Sequence, residues 1–245
     1  MPVIAWLAAA LAMAAAPPAP IGTPPADAAS SDPAETSVQD AMTAIRAGRP
    51  GDALPLLDAV IAGKQAQYAG EKRHLYCARS QEETLLYLLT KAGERQDAVV
   101  VDSSWCSALF LKGFALIDLG RPDEAKSYYD RVVALAPSNS QYLGELAEWH
   151  KSRRDWEQAM AYFRRAEAAA DVSPKDVQLF DRTRAWRGIG FVLIEQGKLD
   201  EAEAMYRKCL AANPNDRGAA QELDYIRQQR LKQAAPQSSC TRNCS

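Results

Sequence analysis

Residues 183–216 read TRAWRGIGFVLIEQGKLDEAEAMYRKCLAANPND, and their spacing decides the fold. Trp186, Ile189, Gly190 and Leu193 recur at helical intervals, Gly197 interrupts them, and Leu199, Ala202, Tyr206 and Cys209 resume the same period before Pro214 closes the stretch. Such a pattern predicts two amphipathic helices joined by a glycine turn, with small residues of one facing an aromatic of the other. Leu199–Ala202 opens the second helix with two acids, which the positive end of the helix dipole favours.

The same phases return upstream. Leu109, Gly113, Leu116, Gly120, Ala125, Tyr129, Val132 and Pro137 form one copy, and Leu143, Ala147, His150, Trp156, Ala159, Phe163 and Ala166 another, with Ala159 placed 34 residues after Ala125. Ala159 to Ala202 is a step of 43, so about nine residues are added near 174–182, where Pro174 and its polar neighbours mark a loop or a helical extension. Ala41, Ala44, Ile45, Gly48, Ala53, Leu56, Leu57 and Val60 give an earlier, worn copy. In residues 71–105, Glu71–Lys91 carries helical periodicity without a glycine in the usual turn, and a count back in steps of 34 places a degenerate copy at 72–105, although one long helix fits as well. Beyond Pro214, Ala219, Leu223 and Ile226 make a narrow apolar stripe, as expected of a cap helix over 216–231. A disordered tail is expected over 232–245.

On these residues the chain resembles the tetratricopeptide repeat family. The resemblance implies an all-α, right-handed superhelical solenoid of antiparallel helix pairs over 34–231, with about five repeats near 34–67, 72–105, 106–139, 140–173 and 183–216. It also implies a concave groove, lined by the first helix of each repeat, that takes a protein or peptide partner. Carried over by position, the groove would present Phe110, Phe114, Glu148, Lys151, Arg184, Arg187 and Phe191. Alternatively Phe110, Phe114 and Phe191 pack between repeats. Family members that grip a chaperone's terminal carboxylate use Asn where this chain has Met42, Phe114 and Glu148, so the resemblance does not extend to that ligand.

Charge and composition narrow the function further. Lys plus Arg number 29 against 31 Asp plus Glu, a net charge of −2 that provides no global field for nucleic acid. Val3–Ala16 is an uncharged apolar run, too short to span a bilayer, followed by Pro17, Pro18 and Pro20. It reads as a signal peptide over 1–16, with cleavage after Ala14, then a flexible linker over 17–33. A periplasmic or secreted protein is expected on that basis, a cytoplasmic one if the run is only a leader. Five cysteines are too sparse for a disulfide scaffold, and Cys240 with Cys244 could close a short loop or link two chains.

Signals for chemistry are thin. His74 and Cys77 stand three apart on an expected helix, but a metal site needs three or four ligands. Gly188 and Gly190 resemble part of a dinucleotide fingerprint, yet Leu193 replaces the third glycine and no strand precedes them, so they read as helix packing. No catalytic, cofactor or metal residue is assigned, and the expectation is a non-catalytic adaptor or scaffold. An accessory subunit or enzyme on a repeat scaffold, or a self-assembling structural protein, is the alternative.

Overall fold

Four helix pairs are stacked one on the next in the computed structural model, which describes residues 32–234. They are α1 (Pro33–Arg46) with α2 (Pro50–Gln67), α4 (Ser104–Asp118) with α5 (Pro122–Leu135), α6 (Ser140–Ser152) with α7 (Trp156–Ala169), and α8 (Gln178–Glu195) with α9 (Leu199–Ala212). α10 (Arg217–Ala234) closes the array, running slightly past the expected cap and into the expected tail. The predicted signal peptide, most of the linker, and Cys240 and Cys244 lie outside the described residues.

The turn within each pair has a common backbone. Gly48, Gly120, Arg154 and Gly197 all have φ between 57° and 75°, and the two amides that follow each first helix donate back to its last turn, as in Gly120 N to Ile117 O at 2.9 Å and Arg121 N to Leu116 O at 2.8 Å. This is the Schellman closure, which suits glycine because the left-handed conformation crowds a Cβ. Arg154 adopts it with a side chain. Arg154→Gly is therefore expected to raise stability by about 0.5–1 kcal/mol, the relief of left-handed strain exceeding the added freedom of the unfolded chain. An unchanged or lower urea midpoint would contradict this.

Close helix approach explains the small-and-aromatic pattern. A Cβ on Gly113 would lie 2.6 Å from the Tyr129 ring, and one on Gly190 2.7 Å from Tyr206. Gly188 serves the junction between repeats, since its Cβ would lie 2.3 Å from Phe163 of the preceding pair. Ala125, Ala159 and Ala202 are fully buried beside these rings. The glycines at 188 and 190 thus belong to packing, in agreement with the sequence reading.

Residues 72–105 depart from the expected repeat. They form β1 (His74–Cys77), α3 (Gln81–Gly93) and β2 (Ala98–Val101), with the strands parallel and His74 opposite Ala98. A parallel pair requires a crossover of about a dozen residues, which α3 supplies. Leu75 and Val99 pack on the helical core, and Tyr76 stacks on Tyr87 of α3 with centroids 4.7 Å apart. The helical period here was real, but it belongs to a helix that buries Glu83 and Tyr87 and exposes Leu85, Leu86, Leu88 and Leu89. α2 meanwhile packs directly on α4, so the unit is an insertion between the first and second pairs. His74 and Cys77 accordingly lie on a strand rather than a helix. Cys77 is bonded to Cys106 at the start of α4, a disulfide that the sequence reading did not anticipate.

A short 3-10 turn at Ala170–Val172 precedes the nine added residues, which form a loop and the first turn of α8. They meet the insertion. Arg79 donates to Ser173 Oγ and Asp181 Oδ2, each at 3.2 Å, and Ser80 Oγ donates to Val172 O at 2.7 Å. Both breaks in the 34-residue period therefore build one contact.

Candidate functional site

α6, α8 and α10 leave between them a groove of about 330 Å³. Phe180, Arg184, Arg187, Gly188 and Phe191 share one face of α8, at intervals that keep them aligned along the helix. Glu148 and Lys151 face them from α6, while Gly218, Gln221 and Glu222 do so from α10, with Tyr206 behind. Five of the seven residues selected by repeat position therefore border one space: Glu148, Lys151, Arg184, Arg187 and Phe191. Phe110 and Phe114 do not. Phe110 is half-buried against Tyr129 and Tyr142, with ring centroids 6.5 and 5.1 Å away, and Phe114 is exposed on α4.

Four lining residues escaped the sequence reading: Phe180, Gly218, Gln221 and Glu222. Phe180, 61% exposed, lies in the stretch of added residues, outside the repeat phases that selected the other residues. Gly218, Gln221 and Glu222 are on the cap helix, which was read only as a solvated cover. The general signal for all four was available in the helical spacing, had the cap been treated as one more first helix.

The groove's cations are already engaged. Arg184 donates to Glu145 Oε1 at 2.7 Å, Arg187 to Asp216 Oδ2 at 2.6 Å, and Lys151 pairs with Glu148 while lying 4.7 Å from the centroid of the Phe191 ring. Asp216 is buried, and its other oxygen accepts from Ala219 N at 3.0 Å as the cap of α10. Arg187 therefore holds the cap helix as well as lining the groove. Burial raises the Glu222 carboxyl, with Lys151 acting in the opposite sense.

Other reactive groups are occupied structurally. Cys209 is fully buried, and burial pushes its thiol up to about 11, which suppresses the thiolate needed for nucleophilic chemistry. His150 is buried beside Tyr162, with Nδ1 2.9 Å from Asp155 Oδ2. Among the described residues no group of three or more His, Cys, Asp or Glu side chains is placed to hold a metal ion, and no helix is long and apolar enough to cross a membrane.

Comparison with known proteins agrees with this architecture. The tetratricopeptide repeat family matches residues 110–174 and, separately, 183–216. No curated protein matches the sequence. Among solved structures, pilF of Pseudomonas aeruginosa is similar at 14% identity and a TM-score of 0.56, covering 82% of this chain and 70% of that one. MamA of Desulfovibrio magneticus RS-1 is similar at 16% identity and a TM-score of 0.53, covering 82% and 86%. At such identities these likenesses bear on the fold alone.

Proposed function

We infer the function from what the chain is: a tetratricopeptide repeat protein, of a family that generally binds proteins or peptides and is not catalytic. The chain is an adaptor that holds an extended peptide or protein segment in the groove between α6, α8 and α10. The observation that carries this reading is the alignment of Phe180, Arg184, Arg187 and Phe191 along one face of α8, opposite Glu148 and Lys151. Two rings accessible to solvent offer apolar contact, and the ordered ion pairs between them offer fixed donors and acceptors.

Phe180→Ala is the most direct test, because a ring so exposed contributes little to folding. Affinity capture with the wild-type chain should recover a specific partner, and Phe180→Ala or Phe191→Ala should weaken its retention by tenfold or more, as expected when a central aromatic anchor is lost. Equal retention by wild type and both variants would overturn the groove. Arg187→Glu is unsuited to this purpose, since it would set a carboxylate against buried Asp216 and release α10.

The adaptor works outside the cytoplasm, in the periplasm or after secretion. The apolar run Val3–Ala16 supports this reading, as does the Cys77–Cys106 bond, because structural disulfides persist in oxidising compartments. Mass spectrometry of the protein isolated from its own cells should find the mature chain beginning after Ala14. A retained Met1 would count against export.

A further inference from the structure

We propose that the groove takes a positively charged peptide segment, with Glu222 receiving a lysine or arginine side chain and Phe180 receiving an apolar or aromatic one. This inference rests on the groove being the partner site.

The charge inventory points to this sign. Lys151, Arg184 and Arg187 are the cations bordering the groove, and each is held by a carboxylate of the array: Glu148, Glu145 and Asp216 respectively. Glu222 is the remaining carboxylate. It makes no hydrogen bond or ion pair among the described residues, and the cation near it, Lys151, is the one that Glu148 already holds. An anionic ligand would meet only cations that a carboxylate already holds: Arg184 with Glu145, Arg187 with Asp216 and Lys151 with Glu148. Drawing Arg187 away from Asp216 would strand a buried charge and loosen the start of α10, which is unfavourable. A cationic side chain leaves all three of those pairs in place and gains the Glu222 carboxylate, at the end of the groove where Lys151 already meets the Phe191 ring.

The spacing sets the length of the segment. Phe180 and Phe191 lie eleven positions apart on α8, a rise of about 16 Å, which an extended chain covers in about five residues. The Phe191 end is the one that holds Lys151 and Glu222, so the cationic and apolar ends of the segment stand about five residues apart.

Fluorescence anisotropy with the full chain can test this, using three sets of short amidated peptides long enough to span the groove. Each set carries one aromatic residue, followed at the stated spacing by arginines, glutamates or alanines. The arginine set should bind most tightly, lose affinity as salt is raised, and weaken about tenfold with Glu222→Gln while the melting temperature stays unchanged. Phe180→Ala should weaken the same set. If the glutamate or alanine set binds as well or better and remains sensitive to Phe180→Ala, the groove stands as the partner site and the cationic assignment falls. If no set binds, or binding ignores Phe180→Ala, both fall together.

Discussion

Arg79→Ala is expected to destabilise the array by about 3–5 kcal/mol at neutral pH, because it leaves buried carboxylates without their cation. The Glu83 side chain is fully buried and that of Asp181 is 4% exposed, and the Arg79 guanidinium touches both. The Arg79 amide also donates to Glu83 Oε2 at 2.7 Å. Burial raises the Glu83 carboxyl above its ordinary value of 4.5, while Arg79 opposes that rise. A carboxyl whose folded pKa is raised binds more protons folded than unfolded, so its contribution to stability is largest below the ordinary value and is lost as pH rises through the folded one. Removing Arg79 takes away the opposing charge and extends that window upward. The deficit of Arg79→Ala should therefore shrink in mildly acid solution, where Glu83 takes up a proton. Urea unfolding at neutral and mildly acid pH measures this directly, and a deficit that is equal at both, or absent, would refute the account. Arg79→Met should behave similarly, which separates lost charge from lost volume.

Removing the Cys77–Cys106 bond is expected to destabilise the protein by about 3–4 kcal/mol, from the closure of a loop spanning 29 residues. That loop contains the whole of α3 and β2. The double variant Cys77→Ala, Cys106→Ala should therefore lose amide protection first across 74–101, while the pairs from α4 onward keep theirs. Hydrogen exchange locates the effect and urea unfolding gives its size. Reductant should bring the wild type to the level of the double variant and leave the variant unchanged. Coincident unfolding midpoints for oxidised wild type and double variant would refute the prediction. Both sulfurs are buried, so reduction should require opening of the insertion.

What the sequence made legible depended on repetition. Ala125, Ala159 and Ala202, with Tyr129, Phe163 and Tyr206, mark positions where two helices approach so closely that one side chain must be small and the other large, and the packing follows that pattern. The insertion was not legible in the same way. His74–Cys77 and Ala98–Val101 are four residues each, too short for alternation to declare itself, and the intervening Leu85, Leu86 and Leu89 mimic the apolar stripe of a repeat helix. The face buried instead carries Glu83 and Tyr87, with Glu83 met by Arg79, which also reaches Asp181 102 positions on, a pairing that local periodicity does not reveal. Cys77 and Cys106 looked unrelated for the same reason. At the groove, repeat position selected Glu148, Lys151, Arg184, Arg187 and Phe191, whereas Phe180 and Glu222 lie where the period had been interrupted or had ended. Phe110 occupied an equivalent position but found aromatic neighbours to pack against.

The contact between Arg79 and Asp181 joins residues 102 positions apart in a molecule otherwise built from neighbour-to-neighbour stacking. At a synthesis rate of about 5–20 residues per second, Arg79 and Glu83 wait on the order of 5–20 s for the carboxylate that completes their cluster. A plain helical array can assemble and fray one unit at a time. Here the insertion is finished only when the last pair begins to form, so that part of the chain matures late, after the helices between Arg79 and Asp181 have been made.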